Sequence, residues 1–284
     1  MAAIFVSVGP AVIDDVLIVG IGDATTPAIH MDAGINMHVL NVECRDGGGI
    51  LTNAGDGSSV KGCHVEDPDG YGIKVEGSTG GLVVSNNTVR GASQSASVAG
   101  LVIDGDGNGT RDVVVAGNHI ESTVAGISVT DVDGLVMVGN AVRSYGIGIN
   151  CSDVNGSTIA GNNIAGFDGI DIELGEHGIV LTDSSDNNIS DNVITEPGVD
   201  TNNTFDGIRL AGDSNRNHVH ANSVRPSQAA NATRYGINIS ASTCDDNVVA
   251  DNMLGAAADY GTGAYNDAGT GTVTTRDANG QFTW

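Results

Sequence analysis

Lysine is nearly absent from this chain of 284 residues: there are two, beside nine arginines, against 35 aspartates and glutamates, giving a formal net charge of −24. Such a surface is a poor partner for nucleic acid and for anionic membrane, both of which hold proteins through basic side chains. No apolar run approaches the roughly 20 residues of a membrane-spanning helix, so membrane insertion is not expected. Met1 to Gly9 is too short and too weakly charged for a signal peptide. No stretch shows convincing helix periodicity. Cysteine is scarce, and Cys44, Cys63, Cys151 and Cys244 are scattered. Neither Cys44 nor Cys63 has a natural partner, so free, mostly buried thiols are expected.

Against these absences stands repetition. An aliphatic residue, two small or polar ones, an asparagine, a spacer and another aliphatic recur around Asn87, Asn118, Asn140, Asn162, Asn192, Asn222 and Asn252. The asparagines are 31, 22, 22, 30, 30 and 30 residues apart, a period that signals a repeat architecture. A second phrase, Gly-aliphatic-x-aliphatic, begins at Gly72, Gly100, Gly126, Gly146, Gly178, Gly207 and Gly236. Two aliphatics separated by one residue share one face of a strand. Short strands repeated directly, not mirrored, wind into a coil with two or three strands per turn, each stacked on its equivalent about 4.8 Å away. Inward aliphatics then form a column, and equivalent asparagines can bond along the stack.

These residues resemble the right-handed parallel β-helix repeats of the pectate-lyase-like superfamily, over roughly residues 35 to 255. The resemblance implies an all-β, right-handed parallel β-helix of nine to ten coils. Residues 1–255 form the helix and residues 256–284 a cap or oligomer-contact tail, in which Val273–Arg276 and Gln281–Trp284 flank a hairpin signal around Asn279-Gly280. No amphipathic helix precedes Ile4, so the first coil is expected to lack a cap of its own. Activity does not follow from the fold, because the superfamily holds lyases, hydrolases, epimerases, phage tailspikes and adhesins. The Gly-His-Gly and Arg-Ile-Lys of polygalacturonases are absent, and Asp67-Pro68-Asp69 lacks the histidine of the Asp-Pro-His stretch of alginate epimerases.

Four turns are longer than the rest. Asn87, Asn162, Asn192 and Asn222 stand 13, 16, 15 and 14 residues before the next glycine phrase, against 8 and 6 for Asn118 and Asn140. The extra residues leave the coil at one corner, so the last three loops should stack as a lateral wall, where function collects in solenoids. The loop from Gly166 to His177 carries Asp168, Asp171, Glu173, Glu176 and His177. If the protein is an enzyme, Asp168, Asp171, Glu173 and Asp206 are the carboxylates that could cleave a glycosidic bond as an acid and base pair. Phe167, Glu176, His177, Asp200, Arg209, Arg234 and Tyr235 are the binding candidates, by hydrogen bonding and ring stacking to sugar.

Asp104, Asp106, Asn108, Thr110 and Asp112 match the first part of an EF-hand loop, but Val115 stands where the bidentate glutamate belongs. No cofactor is required; Ca2+ or another divalent cation is the class this corner could hold. Of the seven histidines only His218 and His220 share a strand face by spacing. Aspartate in abundance with lysine nearly absent resembles proteins of extreme halophiles, whose self-repulsion is screened at high salt. The expected role is an external structural or adhesion module, a virion spike, tailspike or cell-surface appendage. It would present its loop wall to a cell-surface glycan or to other virion or surface subunits, as a homo-oligomer and by preference a trimer. The alternative is a polysaccharide hydrolase, lyase or epimerase.

Overall fold

The computed structural model describes the chain apart from residues 1–3, 8, 24–25, 33, 54, 78–79, 93–98, 106, 108, 123–124, 145, 166–175, 196, 198–202, 227–231 and 275–284. It is a β-solenoid of about nine turns built from three parallel sheets. A 3-10 turn at Ala257–Asp259 is the one helical element among the described residues. No helix there is long and apolar enough to cross a membrane. The chain divides into two compact units, Met1–Val142 and Arg143–Trp284.

In the first unit, strands Ile4–Val6, Ile29–Met31, Ile50–Thr52, Ile73–Glu76, Leu101–Asp104 and Ala125–Asp133 lie in this order in the first sheet. Ile29, Ile50, Ile73, Leu101 and Ile127 stack in register and are fully buried. The second unit repeats the scheme with Ile147–Asn155, Ile179–Thr182, Asp206–Ala211, Tyr235–Ile239 and Gly263–Asp267. Its column is Ile149, Ile179, Ile208 and Ile237, also fully buried. The aliphatic pairs of the glycine phrase are thus the inward residues of the first sheet, except at Gly146. There the inward pair is Ile149 and Cys151, Ile147 is half-buried and Gly148 takes the place of the phrase glycine. Gly263–Asp267 and Val273–Thr274 extend the first and second sheets of this unit. The hairpin signal beyond Thr274 lies outside the described residues.

The phrase glycines answer a steric demand. A Cβ on Gly178 would lie 2.5 Å from Ile194 Cγ2 and 2.6 Å from the Gly207 carbonyl oxygen; one on Gly207 would lie 2.4 Å from Val224 Cγ1 and 2.5 Å from the Gly236 oxygen. The turn enters its first-sheet strand too close to its neighbours for any side chain.

The asparagines form the expected ladder. In the first unit Asn87 Nδ2 donates to Asn118 Oδ1 (3.0 Å) and Asn118 Nδ2 to Asn140 Oδ1 (2.9 Å). In the second, Asn162, Asn192, Asn222 and Asn252 continue the pattern at 2.9 to 3.0 Å. Each Oδ1 also accepts the main-chain N–H of the preceding asparagine, and Nδ2 donates to a strand carbonyl such as that of Ile159. Asparagine suits the position because its amide offers both donors and acceptors to identical neighbours. The residue before each rung is left-handed: Gly117, Gly139 and Gly161, and also Asp191, Ala221 and Asp251. Gly and Asp tolerate that corner; Ala221 is strained there. A second ladder, Asn187, Asn217 and Asn247, runs beside the first and is equally buried. All four cysteines are free and buried, with Cys44 in the aliphatic column of the third sheet and Cys63 at a ladder position, where its N–H donates to Asn87 Oδ1.

Candidate functional site

In the second unit the loops between the third and first sheets bond to one another. Asn203 N donates to the Ala232 carbonyl (2.9 Å), Arg234 N to that of Phe205 (2.7 Å), and Gly261 N to that of Thr233 (2.8 Å). The Thr233 hydroxyl donates to the Pro197 carbonyl at 2.6 Å. These loops border the outer face of the first sheet, where Val180, Arg209, Asn238 and Asn266 align across successive turns.

A charged cluster sits where loops and sheet meet. Asp206 opens its strand with no exposed surface, and its carboxylate accepts from three donors. Arg234 Nε reaches Oδ1 at 2.9 Å, Arg234 Nη2 reaches Oδ2 at 2.6 Å, and Asn238 Nδ2 reaches Oδ2 at 2.8 Å. Asn266 Nδ2 in turn donates to Asn238 Oδ1 at 2.8 Å. The bidentate fork fixes Arg234 across the site and holds its guanidinium over the Tyr235 ring, 5.5 Å from the centroid. Burying a carboxylate is costly, and this pairing is what makes it tolerable. Held by these three donors, Asp206 is a fixed anion that orients its neighbours.

His177 is buried against this anion, edge-on to Phe205 at 5.2 Å between ring centroids. Its pKa is lowered to about 4, because desolvation and the guanidiniums of Arg209 and Arg234 together outweigh the attraction of Asp206. The imidazole is therefore neutral near pH 7. Its Nδ1 accepts the Asp206 main-chain N–H at 2.9 Å, which places the ring proton on Nε2. Arg209 Nη1 stands 3.3 Å from that Nε2, so two donors face each other. The Nδ1 to Asp206 Oδ2 distance of 3.6 Å is consequently not an ion pair.

Of the sequence candidates, the structure brings His177, Asp206, Arg209, Arg234 and Tyr235 together, with Glu176 half-buried next to His177. Phe167, Asp168, Asp171, Glu173 and Asp200 lie outside the described residues. So do Asp106 and Asn108 of the EF-hand-like stretch. There Asp104 ends a first-sheet strand, Asp112 is left-handed, and the buried Thr110 hydroxyl donates to the Gly77 carbonyl at 2.9 Å. His218 and His220 share a strand face and stack at 4.2 Å. Sequence reasoning missed Asn238, Ser240 and Asn266; the register of Asn238 on Arg209 was the available signal.

Comparison with known proteins bears on this geometry. The model of the family described as "Periplasmic copper-binding protein (NosD)" matches residues 41–225, more than half of the chain. No curated protein sequence matches. Among solved structures, DFA-IIIase from Arthrobacter chlorophenolicus A6 in complex with DFA-III is similar at a TM-score of 0.62 and 14% identity, over 92% of this chain and 69% of that one. A point mutant of the periplasmic alginate epimerase AlgG gives 0.56 and 14%, over 90% of this chain and 57% of its own length. PfbA, a surface adhesin of Streptococcus pneumoniae, gives 0.50 and 13%, over 91% and 70%. The chain thus spans little more than half the length of the epimerase. At these identities the likeness shows a parallel β-helix fold.

The NosD family is described as copper-binding, and the donors of this chain bear on that. Among the described residues no group of three or more His, Cys, Asp or Glu side chains is placed to hold a metal ion. Burial pushes the thiols of Cys44 and Cys151 up to about 12 and that of Cys63 to about 11, away from the thiolate a soft metal requires. These donors do not fit a copper centre.

Proposed function

This chain belongs to the NosD family, and from that premise we propose that it is an external glycan-binding module. In this reading the second unit holds a saccharide on the outer face of its first sheet, against the loops that carry His177 and Arg234. The observation that carries it is the buried cluster of Asp206, Arg234, Asn238 and His177. An apolar column would stabilise the turn at lower desolvation cost, and the half-buried Arg209 adds a guanidinium beside the cluster, in register with Asn238. The polysaccharide- and sugar-acting neighbours and the adhesin support the same assignment by analogy of fold. The excess of acids supports a high-salt setting, and residues 256–284 are the proposed subunit contact of a surface or virion oligomer, with a trimer preferred.

The test is retention of the full chain on immobilised polysaccharides, scored together with release of reducing or unsaturated ends. Retention without release supports the module; absence of retention on every acidic and neutral polysaccharide tested refutes it. A second reading, a polysaccharide hydrolase, lyase or epimerase, is favoured by the neutral imidazole of His177, whose Nε2 stands beside the Arg209 guanidinium. Chain cleavage or epimerisation lost in His177→Gln, with retention kept, would establish that reading instead. The loop carboxylates Asp168, Asp171 and Glu173 would then be the first substitutions to examine.

A further inference from the structure

We propose that the group recognised at this site is a carboxylate of an acidic sugar, held between Arg209 Nη1 and His177 Nε2–H. The inference rests on the glycan-binding reading above and names its ligand class. Acids outnumber bases in this chain by 35 to 11, so a cation finds a carboxylate easily. Arg45, Lys74, Arg90, Arg216 and Arg234 each do. The remaining basic side chains among the described residues are exposed, with one exception. Arg209 is half-buried, donates from Nε to Ser240 Oγ at 3.2 Å, and has no ion-pair partner among the described residues.

The geometry points to what is missing. Arg209 sits between Val180 and Asn238 on the outward face, with the fully buried Ile208 and Leu210 on either side of it in sequence. Its Nη1 lies 3.3 Å from an imidazole nitrogen that is itself a donor. Two adjacent donors to which no acceptor among the described residues is bonded form half of a hydrogen-bonded site. A carboxylate completes it, since one oxygen or its two oxygens can accept from both nitrogens while the charge compensates the guanidinium. Asp206 does not take this role: its carboxylate is held by Arg234 and Asn238 and approaches the Nδ1 side of the imidazole, not Nε2. A neutral sugar hydroxyl could accept one of the bonds but leaves the guanidinium charge unpaired.

The test is calorimetric titration of the full chain in about 1 M salt, where long-range repulsion between an acidic protein and an acidic ligand is screened. The probes are uronate oligomers from alginate, a neutral glucan oligomer of equal length, a sulfated glucan oligomer and monomeric glucuronate. The uronate oligomer is expected to bind, the neutral one not, and Arg209→Gln to weaken uronate binding roughly tenfold or more. Equal binding of the neutral oligomer, unchanged in Arg209→Gln, overturns the carboxylate and leaves the glycan reading standing. Binding of glucuronate that depends on Arg209, with no oligomer bound, keeps the carboxylate and removes the glycan reading. Tighter binding of the sulfated oligomer overturns the carboxylate in favour of another anion, and no binding at all overturns both. Arg209→Lys keeps the charge without the planar fork and is expected to fall between wild type and Arg209→Gln. Should Arg209→Gln not fold, a lysine variant within about twofold of wild type contradicts the assignment.

Discussion

Replacing Asn192 by alanine should remove a large part of the stability of the second unit. Its side chain is fully buried in the ladder. Oδ1 accepts from Asn162 N at 3.0 Å and Asn162 Nδ2 at 2.9 Å, while Nδ2 donates to the Ile159 carbonyl and to Asn222 Oδ1, both at 2.9 Å. Alanine strands two buried donors and one carbonyl. Each costs about 1–3 kcal/mol when left unsatisfied, and partial relaxation brings the expected loss to about 3–5 kcal/mol. Against a total stability of about 5–15 kcal/mol, that is a shift no titration would miss. Asn192→Leu restores volume but not the bonds, so it should lose nearly as much. Asn252→Ala, at the half-buried last rung, lets water reach the freed groups and should cost about 1 kcal/mol. Urea unfolding, chosen because urea leaves ionic strength unchanged, measures all three. A loss below about 1 kcal/mol for Asn192→Ala, or one equal to that of Asn252→Ala, would refute the argument that the ladder stabilises the turns.

Other expectations follow from single positions. The His177 pKa falls from 6.5 to about 4 on folding, so the unfolded chain binds the extra proton between those values. Stability contributed by the neutral ring is therefore complete above pH 6.5 and lost as pH falls toward 4, by up to about 3 kcal/mol. Urea midpoints of wild type should drop more steeply across this window than those of His177→Gln; parallel curves would contradict a buried neutral imidazole. Ala221→Gly should stabilise the second unit by about 0.5–1 kcal/mol by relieving its left-handed corner, and a lower urea midpoint would argue against that strain. Gly207→Ala should lose about 1–3 kcal/mol, because its Cβ has no room beside Val224 and the Gly236 carbonyl; an unchanged midpoint would show that the turns separate freely. The four thiols should resist an aromatic disulfide reagent in the native protein and react in urea, in line with their burial; rapid native labelling would contradict it.

The repeat was legible because it is written in residue types with one physical use each. Valine and isoleucine at alternate positions give the column, and asparagine at a fixed spacing gives the ladder. The second ladder was harder to see, since Asn187, Asn217 and Asn247 stand among Asp, Ser and Asn residues that also suit exposed corners. The site was half legible. Unequal loop lengths pointed to the loops that border the candidate cluster, and His177, Asp206, Arg209 and Arg234 stood among the candidates. Their division of labour depends on register and burial, which sequence does not show. Asp206, singled out for acid–base work, is held by a guanidinium fork and an amide. Arg209, next in sequence to the buried Ile208, is the half-buried cation that no carboxylate pairs among the described residues.

A crystal structure of the full chain soaked with an alginate oligomer tests the central claim most directly. The account predicts a uronate carboxylate within hydrogen-bond distance of both Arg209 Nη1 and His177 Nε2, on the outer face of the first sheet. An oligomer ordered on another face, bonded to neither Arg209 Nη1 nor His177 Nε2, would contradict it.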